Sequence, residues 1–246
     1  MKKILFLCIS ALLLTGCNSA QHKLALKKNK DYVSWENPSL TFCTYTHSEG
    51  VKFNAPAFEV FIKTGNNSNL HMPIDSYALG YGASCPMGDL GFYKPEKLAD
   101  AEILSQTEEK MVIHLSYEPW IIYGEQIILD KQITILKDSP IMTVIDYYSG
   151  QFDLLNIAAG MTTAYNGSAT KLDNGYSVDY FTGNENVPQG ISSIIVMPGV
   201  EELSTNETFG TVLLKKAVTS NEPLRYYVGV SDKGADYLLD ELNKIL

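Results

Sequence analysis

Apolar and polar residues alternate with a period of two along much of this chain, which predicts β-strands. The segment Lys110–Tyr117 shows the pattern clearly, since its odd positions from Met111 to Tyr117 are apolar while His114 and Ser116 occupy even positions. Runs of similar composition predict further strands at Ser39–Thr46, Ala57–Lys63, Ile121–Leu136, Pro140–Ser149, Phe152–Tyr165, Ile191–Met197, Phe209–Val218 and Leu224–Ser231.

The predicted strands are long, and polar turns separate them. Lys137-Asp138-Ser139-Pro140 is typical of a tight turn between two such strands. Long antiparallel strands favour a mainly β fold, a large two-sheet sandwich, over a small barrel. No composition shift suggests a boundary within residues 33–246, so we expect a single domain there.

The last residues depart from this pattern. Ala235–Leu246 is rich in helix formers, and its apolar positions fall on one stripe, which predicts a short C-terminal helix that packs on a sheet. Asp232 or Gly234 could cap its start. The stripe consists of Leu238, Leu239, Leu242 and Ile245.

The N-terminus predicts where the protein is located. Lys2 and Lys3 precede an apolar run, Ile4–Leu14, that is too short to span a bilayer. Leu14-Thr15-Gly16-Cys17 then resembles the lipobox of bacterial lipoproteins. We expect residues 1–16 to be a signal peptide, Cys17 to be lipidated, and residues 17–32 to form a tether. The alternative is an ordinary cleaved signal peptide with a chance cysteine.

Such an anchor places the chain in the bacterial cell envelope, at the outer membrane and facing the periplasm. The formal net charge of −9 argues against a nucleic-acid partner and against broad adhesion to anionic lipid. We therefore expect membrane contact through the lipid anchor only. We expect the tether to be solvated at its four lysines, Lys23, Lys27, Lys28 and Lys30. Cys43 and Cys85 could form a disulfide or remain free, because spacing alone does not decide it.

A glycine-rich stretch in the middle of the chain, Tyr77–Phe92, resembles a known signature. Gly82, Ser84, Gly88, Leu90 and Gly91 match the repeated glycine pattern of an uncharacterised family of Bacteroidetes exported proteins, domain of unknown function 4861. Flanking segments are also similar to this family: Trp35–Pro38 with Phe42–Tyr45 upstream, and Tyr117–Trp120, Ile133–Ile135 and Ala158–Met161 downstream.

The resemblance implies a β-supersandwich related to galactose-mutarotase-like carbohydrate enzymes, and an association with polysaccharide utilisation. It supplies no known reaction. Pro86 and Asp89 occupy positions where the pattern has glycines, which favours a divergent or non-catalytic member. From the residues themselves, Gly80-Tyr81-Gly82 lacks a nucleotide-loop pattern and predicts a close-packed turn.

Four residues are candidates for acid–base chemistry, and no cofactor or metal signature accompanies them. His71 could exchange a proton near neutral pH, with Asp75 orienting its ring. Glu125 and Asp146 could supply carboxylates, and Asp146 lies within an apolar strand pattern. The alternatives are a loop histidine with local hydrogen bonds and an outward-facing Asp146.

Aromatic residues suggest a carbohydrate ligand. Trp120, Tyr123, Tyr147 and Tyr148 could stack against sugar rings, although ordinary half-buried strand aromatics would give the same pattern. Three hypotheses follow. The first is an envelope lipoprotein that processes glycans, by proton transfer at a sugar as in lyases or epimerases. The second is a non-catalytic glycan-binding lipoprotein, and the third a structural envelope protein.

Overall fold

The computed structural model describes residues 23–47, 56–63, 69–72, 79–89, 91–164, 167–180, 190–207 and 210–246. Residues 1–22, with the expected signal peptide and Cys17, lie outside the described residues, as does Asp75. The strands within the described part are β1 (Ala25–Lys28), β2 (Tyr32–Glu36), β3 (Leu40–Tyr45), β4 (Glu59–Lys63), β5 (Asn69–Met72), β6 (Tyr81–Gly88), β7 (Gly91–Phe92), β8 (Leu98–Gln106), β9 (Lys110–Tyr117), β10 (Trp120–Ile122), β11 (Glu125–Leu136), β12 (Ile141–Ser149), β13 (Leu155–Thr162), β14 (Gly167–Leu172), β15 (Gly175–Tyr180), β16 (Ile191–Val196), β17 (Glu202–Asn206), β18 (Thr211–Val218) and β19 (Pro223–Ser231).

These strands form three antiparallel sheets. The first has the order β1-β2-β3-β4-β5, and the second the order β17-β18-β13-β6-β7. The third and largest has the order β14-β15-β16-β19-β12-β11-β9-β8, with β10 paired to the start of β11. The predicted mainly β, sandwich-like fold with a short C-terminal helix is confirmed.

In the described part of the glycine-rich stretch, Tyr81 and Gly82 are buried in strand β6 and do not form the predicted turn. Gly82 lies in β6 with φ of +99°, and a Cβ there would come within 2.3 Å of the Val228 side chain on β19. The absence of a side chain thus lets β6 approach the nine-stranded sheet closely. Glycine serves inter-sheet packing at this position.

Two other segments differ from their prediction. Ile121–Leu136 is interrupted, because Tyr123 and Gly124 both have positive φ (51° and 88°) and form the two-residue turn of a hairpin between β10 and β11. Within the expected tether, β1 pairs with β2, and Lys27 forms an ion pair with Glu36. Part of residues 17–32 therefore belongs to the first sheet.

The C-terminal helix α1 (Ala235–Asn243) covers the outer face of the nine-stranded sheet. Gly234 occupies its N-cap position without a side-chain cap. Leu238 and Leu242 are buried against Ile141, Ile194 and Tyr227, and Leu239 and Ile245 pack around them. The predicted apolar stripe is confirmed. Among the described residues, no helix is long and apolar enough to cross a membrane.

A charged cluster lies at the centre of the otherwise apolar core. Lys131 on β11 and Asp146 on β12 are cross-strand partners, and both side chains are fully buried. Lys131 Nζ donates to Asp146 Oδ1 at 2.5 Å and to the Tyr226 hydroxyl at 3.1 Å. That hydroxyl in turn donates to Asp146 Oδ2 at 3.1 Å. Asp146 therefore faces the interior, and the alternative prediction of an outward-facing Asp146 is wrong.

The same cluster connects the three sheets. Ser84 on β6 donates to Asp146 Oδ2 and forms a 2.8 Å hydrogen bond with the Tyr148 hydroxyl. Phe58, just before β4, places its ring 5.5 Å from Lys131 Nζ. Burial lowers the pKa of Lys131, and the charge of Asp146 opposes that shift. Burial, with the Asp146 charge, raises the pKa of Tyr148 and Tyr226.

The Lys131–Asp146 ion pair predicts that substitutions at the two residues have strongly coupled effects on the free energy of unfolding. Lys131→Met alone leaves the Asp146 charge buried without its cation, so we expect the free energy of unfolding to fall by about 3–5 kcal/mol. Adding Asp146→Asn removes that charge and keeps an acceptor for Ser84 and Tyr226, so the double variant should regain about half of the loss. Urea unfolding of the four proteins of this cycle measures the coupling. Strictly additive losses would contradict it.

Candidate cleft and surrounding residues

An open cleft of about 520 Å³ lies where the segment after β7 meets the segment between β9 and β10. Its volume is within the range typical of small-molecule sites. Aromatic rings, two carboxylates and a lysine share its lining: Phe92, Tyr93, Lys94, Glu96, Glu118, Pro119, Trp120 and Ile121. This combination can present apolar faces and hydrogen-bonding groups to one ligand.

Hydrogen bonds join the two walls of the cleft. The Trp120 indole donates to the Tyr93 carbonyl at 3.1 Å, which holds the ring in the wall at 9% exposure. The Glu118 backbone N–H donates to the Lys97 carbonyl at 2.9 Å. The Tyr93 N–H donates to the Pro86 carbonyl at 2.9 Å and so ties the cleft to β6. The cleft is therefore built on the sheets.

The charged groups of the cleft lie at its rim. Lys97 forms an ion pair with Glu118, and both side chains are about half exposed, so the pair adds little to stability. Lys94 Nζ lies 5.8 Å from the centre of the Phe92 ring, and burial lowers the pKa of this lysine. Glu96 is exposed. Carboxylates at these positions can accept hydrogen bonds from ligand hydroxyls.

Tyr123 projects from the hairpin turn beside the cleft. Its φ of 51° is unusual for a bulky residue, and its side chain is largely solvent-facing, with 77% of the residue exposed. The Tyr123 and Tyr93 hydroxyls are 2.6 Å apart, and their ring centres 5.2 Å. The hydrogen bond to Tyr123 raises the pKa of Tyr93. The hairpin turn and this hydrogen bond hold the exposed Tyr123 ring beside the cleft.

A second group of polar residues surrounds His71 on β5. Its Nε2 lies 3.3 Å from Oε2 of Glu59, a buried carboxylate on β4. The ring stacks on Phe61 with centres 4.3 Å apart, and the His71 side chain is 36% exposed. A half-exposed imidazole beside a buried carboxylate is an arrangement that can transfer protons.

Cys43 and Tyr45 on β3 complete this group. Cys43 Sγ lies 3.7 Å from Glu59 Oε2, and burial together with the Glu59 charge raises the pKa of Cys43 well above its usual value. The same two causes raise the pKa of Tyr45. Both groups therefore stay protonated near Glu59 and are not nucleophiles at neutral pH.

The three predicted acid–base residues that the structure describes, His71, Glu125 and Asp146, do not come together. His71 lies on the first sheet with Glu59 as its carboxylate partner, while the proposed partner Asp75 lies outside the described residues. Glu125 is exposed at the start of β11. Asp146 is fully buried with Lys131, so a sugar cannot reach it without separating the sheets.

The predicted aromatic platform is also divided. Trp120 and Tyr123 belong to the cleft and its turn. Tyr148 is fully buried and bonded to Ser84, so it cannot stack on a ligand, and this part of the prediction is wrong. Tyr147 follows Asp146 along β12 and is half-buried. Alternation along one strand puts neighbouring residues on opposite faces, which separates Tyr147 from Tyr148.

Other polar groups have structural explanations. His114 Nε2 lies 2.9 Å from Asp130 and its Nδ1 lies 3.5 Å from Glu102, so both ring nitrogens of this strand histidine have carboxylate partners. In the described part of the chain, no group of three or more His, Cys, Asp or Glu side chains is arranged to hold a metal ion. Cys43 and Cys85 are both buried and free, so they do not form the disulfide that spacing allowed.

The fold is a multi-sheet antiparallel sandwich with an open aromatic cleft, and its sequence matches a known family. The family described as domain of unknown function (DUF4861) matches residues 76–238, about two thirds of the chain. The chain belongs to this family. The match includes the cleft and the Lys131–Asp146 pair, whereas His71, Glu59 and the upstream aromatic segment lie before it.

Solved structures share the fold at low sequence identity. A crystal structure of active YidC insertase, with its first transmembrane domain resolved, aligns with a TM-score of 0.51 and 10% identity, over 92% of this chain and 44% of that one. YidC from Thermotoga maritima aligns with a TM-score of 0.50 and 12% identity, over 91% and 57%. This chain thus spans about half the length of those proteins. Among curated proteins there is no significant match.

Sequence reasoning missed several residues of both sites. Glu59 is invisible as a partner of His71 because the pairing depends on the register of β4 and β5, which sets Phe61 opposite His71. Tyr93 and Glu96 lie in a short connecting segment without periodicity. The Pro-Trp pair at 119–120, which interrupts the strand pattern, was the available signal for a wall at this point.

The burial of the two free thiols predicts that they react slowly in the native protein. Burial raises the pKa of Cys85 from 9.0 to about 12, so its thiolate fraction at neutral pH should fall by about a thousandfold. We expect Cys43 and Cys85 to resist Ellman's reagent in the native protein and to react fully in urea. Full-length protein carrying Cys8→Ser and Cys17→Ser isolates these thiols. Rapid labelling of the native protein would contradict this expectation. So would thiols that remain unreactive after unfolding in urea.

Proposed function

We propose that the protein is a glycan-binding lipoprotein of the bacterial cell envelope, which holds oligosaccharides in the aromatic cleft. Cys17 would carry the lipid, at the outer membrane and facing the periplasm, with no nucleic-acid partner. The observation that carries the proposal is the cleft itself, where Phe92, Tyr93 and Trp120 stand beside Glu96 and Glu118. Sugars have apolar ring faces and many hydroxyls, so aromatic and carboxylate groups together suit them.

Two further facts support the cleft as the binding site. It lies within the residues matched by the family, so its position is consistent with a family-wide function. Its rim also exposes Ile121 at 63% and Tyr123 at 77%, and exposed apolar groups that cluster beside polar ones often mark binding surfaces. The resemblance to Bacteroidetes proteins of polysaccharide utilisation points to the same ligand class.

A blocking substitution tests this proposal. Full-length protein in detergent is titrated calorimetrically with neutral oligosaccharides: malto-, cello-, xylo- and mannooligosaccharides. Ile121→Arg places a long charged side chain in the cleft and should weaken binding at least about tenfold, or about 1.4 kcal/mol. Leu154→Arg is the matched control, because Leu154 is 66% exposed and is not part of the cleft lining. Equal losses in both variants, or a wild type that binds none of these sugars, would reject it.

The His71–Glu59 pair supports a second candidate function, proton transfer at a sugar. The 3.3 Å contact between an accessible imidazole and a buried carboxylate is the specific observation in its favour. Such a pair can take a proton from a sugar carbon next to a carbonyl or carboxylate group onto the imidazole, as cofactor-independent lyase or epimerase chemistry requires. This pair lies on the first sheet, before the residues matched by the family. Glycan binding is therefore our first choice.

Product analysis separates the two functions. Any sugar that binds is incubated with the protein and examined for new unsaturation or inverted stereocentres. If the pair is catalytic, His71→Ala and Glu59→Gln should each lower turnover by about 10²–10⁴-fold. His114→Ala is the control, because His114 also contacts carboxylates but belongs to a different sheet. Full turnover in His71→Ala would refute the catalytic role, and binding without any product leaves binding alone.

A further inference from the structure

Gly88 lies directly against the two tyrosines beside the cleft. A Cβ at this position would come within 2.4 Å of the Tyr123 hydroxyl oxygen, 2.7 Å of Tyr93 Cε2 and 3.2 Å of the Tyr93 hydroxyl oxygen. Gly88 is not among the residues with positive φ, so backbone conformation does not require a glycine. The requirement is for space, and the atoms that need the space are the ends of Tyr93 and Tyr123.

These tyrosines form an exposed surface that continues the cleft. Tyr93 lines the cleft, and its hydroxyl bonds to that of Tyr123 at 2.6 Å. Ile121, in the cleft lining on β10, and Tyr123, in the turn that follows β10, are two residues apart and both exposed. Exposed apolar surface is thus present both in the cleft and in the turn beside it. We call the Tyr93–Tyr123 pair the tyrosine shelf.

We infer that Gly88 positions the tyrosine shelf as a second sugar-stacking surface next to the cleft, so that the protein binds neutral oligosaccharides in preference to single sugars. This inference rests on the proposed glycan-binding function. One ring would occupy the cleft between Phe92 and Trp120, and the next would lie on Tyr123. Gly88 is a positioning residue, since it acts through the tyrosines.

The surrounding charges favour a neutral ligand. Asp89, next to Gly88 in the hairpin between β6 and β7, is exposed, and its charge acts on Tyr93. Glu96 and Glu118 add two carboxylates against one lysine, Lys94, in the cleft lining, and Lys97 outside it is paired with Glu118. An anionic sugar would meet these carboxylates, whereas the hydroxyls of a neutral sugar can donate to them.

The test compares affinity across chain length. Full-length protein and variants are titrated with the best-binding of the four oligosaccharide series named above, in lengths of one to six units. We expect wild type to gain about tenfold in affinity between one and two units, as the second ring covers Tyr123. In Gly88→Ala and Tyr123→Ala that gain should fall below about threefold, while one-unit affinity changes less than about twofold.

Two further variants show whether position or stability is responsible. Tyr123→Phe keeps the ring and should keep most of the gain. Gly199→Ala is the stability control, since Gly199 has φ of +72° and open space around it, so alanine there strains the backbone away from the cleft. It should leave the dependence on chain length unchanged.

Each remaining result decides the question. If the wild type binds but its affinity does not depend on length, or if Gly88→Ala binds like the wild type, the inference is overturned and glycan binding stands. If Gly199→Ala loses the length dependence as Gly88→Ala does, positioning by Gly88 is also rejected. If the wild type binds none of the four series, the proposed function and the inference are both overturned.

Discussion

The three sheets of this protein meet at one buried ion pair. Lys131 and Asp146 belong to the nine-stranded sheet, and Ser84 belongs to the second sheet. Phe58, which contacts Lys131, comes directly before β4 of the first sheet. A lysine and an aspartate in an apolar core are costly unless they are paired and hydrogen-bonded, and here Ser84 and Tyr226 supply further hydrogen bonds. The alignment of the three sheets in this structure gives each of these groups a partner, and sliding one sheet past another would separate them.

The position of the cleft depends on that alignment. β6 carries Ser84 at its centre and Gly88 at its end, and β11 carries Lys131 and begins just after the turn with Tyr123. The hydrogen bond between Ser84 and Asp146 joins β6 to β12, which pairs with β11, and Gly88 at the end of β6 lies against Tyr93 and Tyr123. The same strands thus contribute to the polar centre of the core and to the exposed aromatic surface.

The sites differ in how far sequence could anticipate them. Trp120, Tyr123 and His71 were found because their residue types carry recognisable chemistry. Asp146 and Tyr148 were selected by the same reasoning, but they serve the core, since a strand pattern does not reveal which of its faces another sheet covers. Glu59 and Lys131 gave no local signal, and Gly88 was recognised only as part of the glycine-rich pattern. Each contacts a residue on another element, which is His71, Asp146 and Tyr123 respectively.

Alternating hydrophobicity by itself determined a strand-rich sandwich, and the spacing of Leu238 and Leu242 determined a C-terminal helix with one buried face, because both patterns depend on local backbone geometry. Tertiary structure alone decided that Gly82 permits close sheet packing, that Tyr123 turns a hairpin, and that Cys43 and Cys85 stay apart. It also decided that the cleft exists. Register, sheet order and sheet packing set these contacts between residues distant in the chain, and a period of two along one strand contains no information about them.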